Sequence, residues 1–536
     1  MLVVFTRVMQ KILLKLKNPR LILILGVFGF CITLLLLNFS YQRFLPYRDY
    51  LVIWNGATLV NNGLSPFKDF LMPVSPITII LVGFYQKYVD ESYLIFQSFQ
   101  LLVNFLNLWM ITVLLIKFER STSAIVLGML FFSIFYLIFL NHPWYNNLAV
   151  LGFLFITLML TYKNRLLFLL AGTVSSALLF IKIDFAVLTL VSSAILIFRY
   201  SQDKDWEFLG QAISLYCLGF VASTFYFMQL YTSENFLAVT ELGVSHGEQI
   251  LMRLKRVASI QSIAHIGIGL FSLFLSAYYS KIFLIYGLII LIAFITSIMG
   301  GIFYTHFYYV FTIPAILLFC HKNTALRKYL VFIIPISIIL ILPMAKLLIL
   351  NIEGVAMGRY TSDQYNSRNL KNDIDIIELS QCSERWLNMH GPRDLCAIRS
   401  LLQNSLELLK PNDRFVLNVS ELNFLNAELG AIQLNNHPIW YKNHVTVSAK
   451  LQDQIFKDIK NSSYPIALIQ NVPNSLISSN ARKEMIEMLE ANKNYFKVPK
   501  TFKGPSCIYK GTNISECGIT IFMDIGLSSR LEEIFQ

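Results

Sequence analysis

Two kinds of side chain in this sequence could move charge during a reaction. One is an acid, Asp49, set in a polar and aromatic stretch from about residue 41 to 76. A carboxylate held beside an attacking hydroxyl can take its proton, a contribution worth about 10² to 10⁴ in rate. The other kind is a set of cations: Arg48 and Lys68 near the acid, Lys182, and the trio Arg253, Lys255 and Arg256. Such groups can hold negative charge that develops on a leaving group. Polar residues that could position a substrate are Asp69, Tyr145 and Asn146 in the run Trp144 to Asn147, and His306 and Tyr308. Each has a plainer use. Asp49 could cap a helix or pair with Arg48, Asp69 could cap the helix that follows, and Lys182 could snorkel to head groups. The trio could be a lipid-touching face, His306 could satisfy backbone groups, and the aromatic residues could anchor an interface.

The elements that must hold these residues are membrane helices. With 55% hydrophobic and 14% charged residues over 536 positions, the chain could not cover a soluble globule. Apolar runs recur from Leu21 to Leu350, near the roughly 20 residues that cross a bilayer as a helix. The formal charge of +12 does not point to nucleic acid, because the basic residues sit in alternate turns: Arg7 to Arg20, Lys117 with Arg120, Lys163 with Arg165, Arg199 with Lys204, Lys281, and Lys322 with Lys328. That is positive-inside patterning.

Placing those turns in the cytoplasm predicts eleven spans, near 21–39, 93–116, 122–140, 146–162, 166–181, 184–199, 209–231, 260–279, 282–300, 307–320 and 329–350. Residues 1–20 are then cytoplasmic, 21–350 form the membrane domain with a first outer loop over 40–92, and 351–536 lie outside. The run Val74 to Tyr88 is short and opens on Pro73 and Pro76, so it is expected to lie on or dip into the outer face. No small-residue cleavage site follows the first span, which is read as uncleaved.

The tail is expected to be a mixed α/β domain, with strands at Arg414–Val419, Pro465–Gln470, Ser506–Lys510 and Ile519–Met523 and helices at Ala397–Leu409 and Arg482–Asn492. Its four cysteines, Cys382, Cys396, Cys507 and Cys517, fit an oxidising compartment with near neighbours paired. Their spacing is unlike the short Cys-x-x-Cys of zinc sites. The expected fold is therefore an all-α polytopic membrane domain with an extracytoplasmic C-terminal α/β domain.

The outer residues form a pattern. Asp49 is followed by Ala57, Gly63, Pro66, Phe67, Asp69 and Phe70, then by Pro73 and Pro76, with further echoes at Trp144 to Asn147, Lys182 to Asp184, and His306 to Tyr309 with Pro314. This order resembles the GT-C superfamily of membrane glycosyltransferases, in particular bacterial relatives of protein O-mannosyltransferases and lipid A aminoarabinose transferases. The resemblance spans about residues 20 to 350 with gaps. It implies an inverting enzyme that takes one sugar from a polyprenyl-phosphate donor to a hydroxyl of a glycan, lipid or protein acceptor on the outer face, in a bacterial inner membrane.

Asp49 matches the base of that family. Lys182, Arg253, Arg256 and Lys68 are then the candidates for the donor phosphate, and Asp69, Tyr145, Asn146, His306 and Tyr308 for positioning. Many relatives carry a second acid directly after the first, where this chain has Tyr50, which leaves acceptor class and a divalent metal requirement open; no other cofactor is implied. Two other readings compete: a transporter or flippase, which should place ionisable groups at midspan and often shows repeats, and a non-catalytic envelope assembly protein.

Overall fold

A computed structural model describes residues 18–41, 49–66, 69–70, 76–89, 92–118, 122–133, 145–198, 205–229, 260–278, 316, 319–321, 323–339, 376–431, 438, 441, 449–471, 478–505, 507 and 517–535. The first half is helical: α1 Pro19–Tyr41, α2 Asp49–Asn61, α3 Pro76–Val89, α4 Tyr93–Phe118, α5 Thr122–Phe132, α6 Tyr145–Leu160, α7 Arg165–Leu179, α8 Ile183–Phe198, α9 Trp206–Met228 and α10 Ile260–Tyr278. Three stretches, Pro19–Leu37, Phe96–Lys117 and Trp206–Met228, are long and apolar enough to cross a membrane. The other expected spans are shorter apolar helices or lie wholly or partly outside the described residues. The molecule is a membrane protein built mostly of helices, and the expected count of eleven crossings exceeds what the described residues carry.

Helices in lipid gain little from burying more hydrocarbon, so close approach of small residues must hold them together. The α7–α9 pair does this. A Cβ at Gly172 would sit 2.0 Å from the Tyr216 carbonyl oxygen, and one at Gly219 would sit 2.2 Å from that of Leu169. Hydroxyls complete the seam, with Tyr216 Oη donating to Ser175 at 2.7 Å and Ser176 bonded to Thr224 at 2.9 Å.

The basic ends of the helices meet at one face. Lys117 Nζ, on α4, donates to the Thr161 carbonyl after α6 at 3.3 Å and lies 3.2 Å from the centre of the Tyr162 ring. Lys163 pairs with Asp205, which caps α9 by accepting from Phe208 N at 3.2 Å. Burial of apolar area dominates at the other end of α4, where Tyr93 and Phe96 pack on Trp54 of α2.

The tail is an α/β unit with β1 Ile376–Glu378, β2 His390–Pro392, α11 Arg393–Glu407, β3 Val416–Val419, α12 Phe424–Glu428, α13 Ala449–Lys460, β4 Ile466–Gln470, α14 Ser479–Ala491, β5 Tyr495–Lys497, β6 Phe502–Lys503, β7 Gly518–Asp524 and α15 Ile525–Phe535. The main sheet runs β3-β4-β7-β5, with β6 on β7. Among the described strands only β3 and β4 are parallel, paired from Val416↔Ile466 to Val419↔Ile469, and the chain between them supplies the helical crossover such a pair needs. Side chains alternate between faces. Leu417, Val419, Ala467, Ile469 and Phe522 pack with Ile455, Ile459, Met485 and Leu489 of α13 and α14. Val416, Ile466, Leu468, Ile519, Ile521 and Met523 share a second cluster with α11, α12 and, unexpectedly, α2.

Cys382 pairs with Cys396 and Cys507 with Cys517, the near-neighbour arrangement expected. Most of the expected strand 506–510 lies outside the described residues, and Cys507 itself is helical. The two short strands β5 and β6 were not expected; at three residues and two they carry too little alternation to read.

Candidate functional site

Helix α2 begins at Asp49 and ends at Asn61. Gly63 takes φ +86°, and Leu64 N reaches back to the Leu59 carbonyl at 3.1 Å, closing the helix through a left-handed residue. Asp69 then folds the following loop onto itself: its Oδ2 accepts from Ser65 N at 2.7 Å while its own N–H donates to the Ser65 carbonyl at 2.9 Å. Asp69 is exposed and closes a turn ahead of α3.

The body of α2 is enclosed. Leu51, Val52, Ile53 and Ala57 have no exposed surface, and Trp54 and Asn55 almost none. On one side Trp54 stacks on Phe424 of α12 with centroids 5.6 Å apart, and Asn55 Nδ2 donates to the Asn423 carbonyl at 3.3 Å. Trp54 also meets Tyr93 of α4 edge-on at 5.2 Å. Against α3 the contact is close enough that a Cβ at Gly83 would meet Val60 Cγ1 at 3.0 Å. Helix α4, helix α3 and the tail thus grip one short helix, and Asp49 is its first residue. The Asp49 side chain lies outside the described residues, as do Lys68, Arg253, Lys255, Arg256, His306 and Tyr308. Helix α3 buries Thr78, Ile79, Val82 and Gln86 and leaves Leu81, Phe84, Tyr88 and Val89 exposed, an apolar outer face that suits the expected interfacial placement.

Lys182, Tyr145 and Asn146 come together. Lys182 sits in the turn between α7 and α8, fixed by its N–H donating to the Leu178 carbonyl at 2.7 Å. Its ammonium lies 4.9 Å from the centre of the Tyr145 ring. A ring face attracts a cation through its quadrupole and leaves the positive charge in place for an anion. Helix length explains where this cluster falls. Helices α6 to α8 have 15 or 16 residues, about 24 Å, whereas α4 has 26, about 39 Å. With the Lys117 end of α4 level with the end of α6, the first turn of α6 stops well short of Tyr93. Accordingly Asn107 Nδ2, on α4, reaches the Asn147 carbonyl at 3.0 Å. Tyr145 packs against both the bundle core and the cluster that encloses α2.

One set of residues at this site was missed by the sequence reading. Gln97, Gln100, Asn104 and Asn107 form a buried stripe along α4, spaced three, four and three apart so that they share one face. Asn104 Oδ1 accepts from Gln100 Nε2 at 2.7 Å and from Asn147 Nδ2 at 2.8 Å. The signal was available, since four amides at helical spacing interrupt an otherwise apolar run.

In the tail the loop after β3 is polar yet buried, and Gln470 holds it: its Oε1 accepts from Glu421 N at 2.7 Å, and its Nε2 donates to Glu421 Oε2 at 2.9 Å and the Cys517 carbonyl at 3.1 Å. On α12, Glu428 accepts from Arg399 at 2.9 Å and Ser383 at 3.2 Å. Burial pushes the Glu428 carboxyl above its ordinary range, and Arg399 pulls it part of the way back. Among the described residues no group of three or more His, Cys, Asp or Glu side chains is placed to hold a metal ion.

No protein-family model matches the chain, and no curated protein matches it. Among solved structures it is similar to arabinosyltransferase EmbB from Mycobacterium smegmatis, at 14% identity and a TM-score of 0.39 over 54% of this chain and 30% of that one. It is also similar to an oligosaccharyltransferase from Archaeoglobus fulgidus, solved with zinc and sulfate, at 12% identity and a TM-score of 0.41 over 82% of this chain and 67% of that one. The chain thus spans under a third of EmbB's length. Both names are those of sugar-transferring enzymes. Overlap this loose assigns no residue of this chain a role.

Proposed function

We propose that this protein is an inverting glycosyltransferase that moves one sugar from a polyprenyl-phosphate donor to an acceptor hydroxyl at the outer membrane face. The observation that carries the reading is the grip on α2: three separate elements fix the helix that Asp49 begins, at a junction continuous with the Lys182 and Tyr145 cluster. In the reaction the acceptor oxygen attacks the anomeric carbon as Asp49 takes its proton. The bond from that carbon to the phosphate oxygen breaks, its electron pair leaves with the lipid phosphate, and the Lys182 ammonium stabilises that charge. No general acid is needed, because a phosphate is a good leaving group. The donor's tail stays in hydrocarbon, which explains why the site sits on membrane helices.

The test is transfer of radiolabelled sugar from polyprenyl-phosphate donors by the purified chain in lipid, with a membrane extract as acceptor, comparing wild type with Asp49→Asn. Transfer by wild type should fall about 10²-fold or more in the variant. A variant that turns over like wild type would remove Asp49 as the base, and donor movement across vesicles without transfer would favour a flippase.

A further inference from the structure

We infer that the amide stripe of α4, with Asn146 of α6, reads the sugar ring of the donor and selects a neutral one; this rests on the donor reading above. Amide contacts between membrane helices often serve only to join them, and part of the stripe does so. Gln100, Asn104, Asn107 and Asn147 bond to one another or to backbone across the α4–α6 seam. Those bonds leave atoms over. Among the described residues, both amide atoms of Gln97, the Oδ1 of Asn107 and the Oδ1 of Asn146 are buried with no hydrogen-bond partner. Gln97 has no exposed surface at all. Buried polar groups are nearly always paired, so leftover donors and acceptors in one stripe need an account.

Their position supplies one. Gln97 follows Phe96, which packs on Trp54 of the helix that Asp49 begins. Asn146 follows Tyr145, whose ring lies under the Lys182 ammonium. The stripe therefore runs from the helix of the proposed base to the proposed phosphate cation, the interval that a sugar bound to a phosphate must occupy during transfer. A carboxamide presents a donor and an acceptor side by side, the complement of adjacent hydroxyls on a ring. Every member of the stripe is uncharged. The stripe itself offers no opposite charge to an amino sugar's ammonium or a uronic acid's carboxylate, so burying either against it carries a large desolvation cost. The stripe thus favours neutral hexoses or pentoses.

The experiment measures lipid binding to the full chain in nanodiscs. The probes are bare decaprenyl phosphate, its mannosyl, glucosyl and arabinosyl esters, and an ester of an amino sugar. At least one neutral ester should bind wild type about tenfold tighter than the bare lipid, and the amino-sugar ester should show no such gain. Gln97→Leu should remove most of that gain while bare-lipid affinity stays unchanged, which also reports that the variant is folded. Should Gln97→Leu fail to fold, Asn146→Ala carries the same expectation. A variant that keeps the full gain, or that loses both affinities together, would return the stripe to helix joining. A tighter amino-sugar ester would overturn the neutral preference. If wild type binds none of the lipids, the donor reading falls, and this inference with it.

Discussion

The membrane bundle and the tail solve the same packing problem with opposite materials. In the α7–α9 seam the closest approaches are at Gly172 and Gly219, and the uncharged hydroxyls of Tyr216, Ser175, Ser176 and Thr224 bond across it. In the tail the contacts are made by large side chains, such as Trp386 against Phe424 with centroids 6.0 Å apart, and a charged pair, Arg399 with Glu428, is buried beside them. Water makes the difference. A domain that folds from water is driven by apolar area and can bury an ion pair if its remaining bonds are made. Helices already in lipid gain nothing from such area and depend on fit. Helix α2 belongs to both regimes, a short helix of the membrane half packed by the aromatic residues of the tail.

The largest effect expected from breaking this contrast is at the ion pair. Arg399→Ala strands a carboxylate only 4% exposed and should destabilise the tail by about 3 kcal/mol at neutral pH. Denaturant unfolding followed by Trp386 fluorescence measures it, since the Arg399 guanidinium lies 5.6 Å from that ring. A change under about 0.5 kcal/mol would mean that water reaches the pair and the contrast is weaker than drawn.

Next comes Gly172→Ala, where one methyl group must push α7 from α9 at a cost of about 2 kcal/mol. Gly210→Ala is the matched control on α9, because no atom lies within 4 Å of its Cβ position, and it should be neutral or slightly stabilising. Thermal unfolding in detergent separates the two; equal behaviour would show that the seam tolerates separation.

The smallest effect is one of pH. The folded state holds the Glu428 proton more tightly than the unfolded chain does, so the stability it contributes is present below its ordinary value of 4.5 and is lost as pH rises through the higher folded value. Across that interval the wild-type melting temperature should fall more steeply than that of Glu428→Gln. Parallel curves would show that the carboxyl is not perturbed.

What the sequence made legible follows the range of the interactions involved. Apolar runs act locally, so α1, α4 and α9 could be read, as could the cores of β3, β4 and β7. The shorter apolar helices α6, α7 and α8 lie where spans are expected, and periodicity marks such a helix without saying whether it reaches both faces. The stacking of Trp54 on Phe424 joins residues hundreds of positions apart, and no local pattern announces it. Of the candidate site, Lys182, Tyr145 and Asn146 could be named from their types, yet their meeting depends on helix lengths that only the fold fixes. Asp69 shows another side of this: its type suggests substrate positioning or a helix cap, and only the fold shows that it closes a turn with Ser65.

The bond from Asn55 to Asn423 joins residues 368 apart in sequence. On a ribosome adding about 5 to 20 residues each second, roughly 20 to 70 seconds pass between the emergence of one partner and that of the other. Through that interval the helix begun by Asp49 lacks the surface that will cover Trp54. The proposed base would therefore be set in place last, and a chain interrupted before the tail is made should reach the membrane without the capacity to act there.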